Sequence, residues 1–143
     1  MRYDSPDFSG FTVSVAAGEE VLASNSNDEF YDIALRYAND FGGGKVVGGL
    51  GFSRRDRNGV DQDDTFGSFS VLLDSGLNVS IAAGSRDSDQ DYIYGKLGYK
   101  GDWFSFGQTA LAVDIYEGSN FSTSGSSTSV YGIGAVQNID SLN

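Results

Sequence analysis

The chain has 143 residues, a formal net charge of −11, 39% hydrophobic residues, and neither cysteine nor histidine. That inventory excludes disulfides, thiolate or imidazole metal sites and any Ser-His-Asp or Cys-His nucleophilic pair, and the acidic balance repels a phosphate backbone, so no nucleic-acid partner is expected. Many glycines and a single proline, Pro6, together with abundant Tyr and Phe, describe strands and tight turns, and the length describes one domain, 1–143.

No run of about 18 apolar residues occurs, which leaves no transmembrane helix, and the opening MRYDSPDFSG has no apolar stretch that would read as a secretory signal. From there period-two alternation dominates. GFTVSVAA sets Phe11, Val13, Val15 and Ala17 against Thr12, Ser14 and Ala16. EFYDIALRYANDF places Tyr31, Ile33, Leu35 and Tyr37 on alternate positions, with Asp32 and Arg36 between them. The same segment offers a helical reading: Phe30, Ile33, Ala34, Tyr37, Ala38 and Phe41 fall at helical spacing, with Ser26 and Glu29 as a capping box and Gly42 as a C-cap. A helix would leave Tyr31 and Leu35 on its polar side and interrupt the series, so a strand is preferred.

After a glycine turn come Val46, Gly48, Leu50 and Phe52. SFSVLLD, NVSIAAG, YIYGKLGYK and ALAVDIY then repeat the pattern, the last two with Ile93, Leu97 and Tyr99, then Leu111, Val113 and Ile115, on one face and with Lys96 and Asp114 on the other. In the final segment, SVYGIGAVQNI, Ile133 and Val136 fall on opposite faces, which leaves its facing open. The reading is an all-β chain of about eight antiparallel up-and-down strands.

The connections are expected to alternate. GEEVLASNSNDE, SRRDRNGVDQDD, SRDSDQD and EGSNFSTSGSST read as longer acidic or Ser/Gly-rich loops, while NDFGGG, DSGLN and KGD read as tight turns. Transmembrane barrels place short turns at one rim and long loops at the other. The face opposite the aliphatic residues is mostly Ser, Gly, Ala, Asn and Thr, which underfills a small barrel but suits the wall of a wide aqueous lumen. Tyr31 and Tyr37 flank Ile33 and Leu35 as aromatic girdles flank a lipid-facing band, and Phe52, Tyr99 and Trp103, the last beside the KGD turn, fit the same scheme.

RYDSPDFSGFTVSVAAGEE, DIALRYANDFGGGKVVGGLGF, LGYKGDWFSFGQTALAVDIY and SVYGIGAVQNID together resemble the Gram-negative general diffusion porins, in particular the alphaproteobacterial type. The resemblance implies an outer-membrane barrel of about sixteen strands, as a rule a homotrimer, that passes small hydrophilic solutes without cofactor or catalysis. It also implies neighbours: outer-membrane lipid and lipopolysaccharide. A complete relative would carry about twice as many strands and an inward-folded third loop, so the chain corresponds to the middle-to-late part of such a barrel.

A charge on the lipid side near the midplane costs about 2–4 kcal/mol for Arg or Lys, so Asp32, Arg36, Lys96 and Asp114 are expected to line the pore and set ion selectivity. Asp87, Asp89 and Asp91 imitate the first positions of a calcium loop, but Tyr92 and Gly98 stand where it needs glycine and glutamate. No metal site follows. A solvated charge run is the expected reading of these residues, with weak divalent bridging to anionic lipopolysaccharide, to which Asp61, Asp63 and Asp64 would contribute, as the alternative use. GGGK at Gly42–Lys45 lacks the following Ser/Thr and helix of a phosphate loop, and nothing sets two carboxylates in one cleft, so no enzyme is expected. Two other readings remain open from the residues: a closed eight-stranded outer-membrane barrel with an adhesin or structural role, and a soluble secreted β-sandwich that binds calcium or glycans.

Overall fold

The computed structural model describes residues 1–19, 28–57, 59–87, 89–121 and 123–140. Among these residues nine strands form one sheet in chain order: β1 (Arg2–Asp4), β2 (Phe11–Glu19), β3 (Glu29–Phe41), β4 (Gly44–Arg57), β5 (Val60–Leu73), β6 (Leu77–Arg86), β7 (Gln90–Phe104), β8 (Gly107–Ser119) and β9 (Ser127–Gln137). Every neighbour pair is antiparallel, and β1 and β9 are the two edges of an unclosed sheet. The strand reading of EFYDIALRYANDF holds over Glu29–Phe41. There Tyr37 lies opposite Phe11, with the rings 4.5 Å apart. Of the expected loop GEEVLASNSNDE, Gly18–Glu19 and Glu29 are strand, and residues 20–27, with Ser26, lie outside the described residues.

Three connections differ from expectation. The described residues of 53–64 and 85–91 are largely strand: β4 runs on to Arg57 with β5 starting at Val60, and β6 runs on to Arg86 with β7 starting at Gln90, where long loops were expected. Cross-strand ion pairs explain the extension. Arg54 Nε donates to Asp63 Oδ1 at 2.6 Å, and Arg86 Nη2 donates to Asp64 Oδ2 at 3.2 Å, so residues that read as loop by polarity are paired strand by chemistry. At the other end, KGD is not the turn. A bulge between Gly101 and Phe104 carries β7 onward to Phe104, the reversal falls at Ser105–Phe106, and Trp103 therefore lies one residue before the end of β7 instead of starting β8. Its ring stacks on Tyr99 at 5.7 Å. Between β5 and β6, Gly76 adopts φ 89° and its carbonyl accepts from Lys100 N–H, a position where a side chain would strike the Lys100 carbonyl.

The register sorts side chains onto two faces. One carries Val13, Leu35, Leu50 and Ile93, and also Val71, Val79, Leu97, Val113 and Ile133. The pairing of Ile133 with Val113 settles the facing of β9. The other face carries Ser, Ala, Gly and nearly all the cationic residues; Arg54 is the one Lys or Arg on the apolar side. There is no buried hydrophobic core among the described residues: Leu50 is 66% exposed and Ile133 90%. Among the described residues one sheet forms and no second layer covers its apolar face.

The apolar band also drifts across the sheet. Along one cross-strand row Leu35 and Leu50 give way to Glu117 and Ser129, while two rows away Asn39 gives way to Val113 and Ile133. A band that keeps its width but shifts its rows is the stagger that tilted barrel strands require.

Candidate functional site on the polar face

The four charged residues expected on the pore wall, Asp32, Arg36, Lys96 and Asp114, share the polar face, and their surroundings separate them into two kinds. Arg36 belongs to a network. Its guanidinium reaches Asp4 at 3.3 Å and also donates to the buried Ser14 hydroxyl, which in turn donates to Asp4. Arg2 completes it with two hydrogen bonds to the Asp4 carboxylate at 2.9 and 3.0 Å. Asp32 accepts from Ser53 Oγ at 2.5 Å.

Lys96 and Asp114 behave differently. They are directly opposed across β7 and β8, yet no ion pair joins them within 4.0 Å among the described residues. The Asp114 carboxylate leans the other way, over Gly132 of β9, where an added Cβ would lie 2.5 Å from it. Both charges therefore stand on the polar face with no ion pair to either among the described residues. Nearer the short-turn end, Lys45 approaches Asp40 at 3.5 Å.

Sequence reasoning missed a third feature, a repeated pairing of aromatics with glycines. Phe30 lies opposite Gly18, Phe66 opposite Gly51 and Tyr92 opposite Gly84, each across a hairpin and each on the polar face. In all three the ring covers its glycine, so that a Cβ there would fall inside 3.0 Å of ring atoms. The signal was present as a glycine on one strand and an aromatic on the next, but it becomes visible only once the register is known. Tyr116 stacks beside Tyr92 with centroids 6.1 Å apart.

The expected girdle residues Tyr31, Ile33, Leu35, Tyr37, Phe52, Tyr99 and Trp103 all belong to the apolar face. The acidic residues are divided. Asp61 and Asp63 are on the apolar side, where Glu19, Glu29, Asp56 and Asp61 follow one another along a single row, and Asp87 accepts from the Asp63 N–H at 2.6 Å. Asp91 shares that face, whereas Asp64 is on the polar face with Arg86 and Asp89 occupies the turn with φ 61°. No group of these acids is arranged to hold a metal ion among the described residues.

A sheet with one uncovered aliphatic face, a hydrophilic opposite face and staggered rows fits one class of protein, and comparison with known families agrees: the Gram-negative porin description matches residues 1–141. The chain belongs to the Gram-negative porin family. Membership places this porin in the outer membrane and accounts for its strands as barrel staves. Among curated proteins and solved structures none is significantly similar to it.

Proposed function

We propose that the polar face of this porin lines a water-filled channel through which small hydrophilic solutes and ions diffuse passively, while the apolar face meets outer-membrane lipid. The observation that carries this reading is the segregation at mid-strand. Arg36, Lys96 and Asp114 share one face, and the other offers uncovered Leu35, Leu97 and Val113. Charged residues on a lumen wall set the local potential and so the preference between ions, and nothing in the transport requires a nucleophile, cofactor or energy coupling.

The chain supplies part of a barrel of about sixteen strands that assembles as a homotrimer. The row from Glu19 to Asp61 faces the level of lipid headgroups, where divalent ions bridge it loosely to the phosphates of lipopolysaccharide. The test is a liposome-swelling assay with neutral sugars of increasing size. Swelling that falls with sugar size is expected. Insertion without swelling for any sugar would favour a plugged barrel and overturn the channel reading.

A further inference from the structure

Near the long-connection end of the polar face, a cleft of about 510 Å³ opens between β3 and β7, within the ~300–1,000 Å³ range of small-molecule sites. Its wall combines exposed aromatic faces with hydrogen-bonding groups. Phe66 and Tyr92 rest on Gly51 and Gly84, which fixes one side of each ring against backbone and leaves the other toward the cleft. Phe121, from the segment after β8, comes back over Gly118 and joins them; Phe66 and Phe121 are each 46% exposed. Around the rings stand Asp32, Gln90, Arg55 and the Arg86–Asp64 pair.

We propose that this cleft is a weak, saturable binding subsite for neutral pyranose sugars on their way through the channel. The proposal rests on the channel reading given above and names a solute class for it. A pyranose ring presents apolar C–H faces and a rim of hydroxyls. Flat aromatic surfaces match the faces, and carboxylate, amide and guanidinium groups match the rim, because together they supply both acceptors and donors. The charges decide between neutral and charged solutes: Arg55 and Arg86 are balanced by Asp32 and Asp64, so neither an anion nor a cation gains from the site as a whole. A neutral planar aromatic would stack equally well but would leave the surrounding polar groups unmatched, which costs affinity.

Glycine makes the site possible. With a side chain at position 51 or 84 the ring would be forced off the wall into the water path; with glycine it becomes part of the wall and a solute slides over it. Stacking of this kind is worth little enough per ring that the solute leaves again, as passive transport needs.

The experiment uses the protein extracted from outer membranes and inserted into planar bilayers, with ionic current read while maltotriose or sorbitol is added. Maltotriose is expected to lower the current in a saturable way, with half-effect in the millimolar range. Sorbitol, which has the hydroxyls but no pyranose face, is expected to give no saturation. Phe66→Ala should raise the half-saturating concentration about tenfold, as loss of one stacking contact, with the sugar-free conductance kept. Gln90→Ala leaves both rings on their glycines and should raise it severalfold, so the rim contribution is readable even if removal of Phe66 impairs folding. Equal, unsaturated responses to both polyols, or saturation by tryptophan amide in place of the sugar, would overturn the subsite and leave the channel intact. A preparation that inserts but carries no current would overturn the channel reading and the subsite with it.

Discussion

Leu35 and Arg36 are neighbours on β3 and meet opposite surroundings. Leu35 sits in an uncovered row with Val13 and Leu50, while Arg36 is tied to Asp4 and Ser14. The difference extends to the whole of each face. Within the mid-strand band of the apolar side, away from the Arg54–Asp63 pair and the acidic row, the requirement is a continuous hydrocarbon surface, so residues there are exchangeable in kind. On the polar side each charge has its own neighbours: Arg36 is networked, whereas Lys96 and Asp114 stand apart. Side-chain identity is therefore cheap to vary on one face and specific on the other, although the same backbone bonds hold both.

That contrast is broken most strongly by a charge on the wrong side. Leu35→Arg is expected to destabilise the membrane-inserted state by about 2–4 kcal/mol, read by denaturant titration of the protein refolded into vesicles, whereas Arg36→Leu should cost clearly less. Next is the glycine floor. Gly84→Val drives a side chain into the Tyr92 ring and should cost about 1–3 kcal/mol in the same titration, while Gly134→Val, with open space around it, should cost far less. Smaller again is the acidic row: Asp56→Asn relieves like charges directly opposite at Glu29 and Asp61 and should stabilise by ~0.2–1 kcal/mol at low salt, an effect that fades near 1 M salt.

The smallest change in stability accompanies the change most relevant to transport. Lys96→Ala and Arg36→Ala should each shift the reversal potential in a salt gradient toward cations. Adding Asp4→Ala to Arg36→Ala should reverse most of that shift, because the negative charge opposite the lost guanidinium is then removed as well. No such rescue is available to Lys96→Ala, and a reversal potential unchanged in both single variants would remove these side chains from the wall.

Much of this architecture was legible in the sequence because alternation has one physical meaning when a strand separates two solvents. Tyr31, Ile33, Leu35 and Tyr37 declare their common face without help, and so do Leu111, Val113 and Ile115. What was not legible depended on partners distant in the chain. Polarity made 53–64 read as a loop, because Arg54 and Asp63 reveal themselves as a strand pair only when set opposite each other. Gly101–Asp102 reads as a turn by composition, and only the bulge shows that the chain continues to Ser105. SVYGIGAVQNI was ambiguous by itself, and its register against β8 decides it. The aromatic-on-glycine pairs belong to the same class: Gly51 and Phe66 carry no local signal that they meet.

The central claim is that water lies on one side of this sheet and lipid on the other, and β6 offers a direct test. Ala82 and Ala83 are adjacent, small and at the same depth, and they point to opposite faces; the chain has no cysteine to interfere. Ala82→Cys and Ala83→Cys should be inserted into lipid vesicles and exposed to a charged, membrane-impermeant thiol reagent. The account predicts rapid labelling at position 82, with a fall in ionic conductance, and protection at position 83. Equal labelling at both positions, or labelling at 83 with protection at 82, would contradict it.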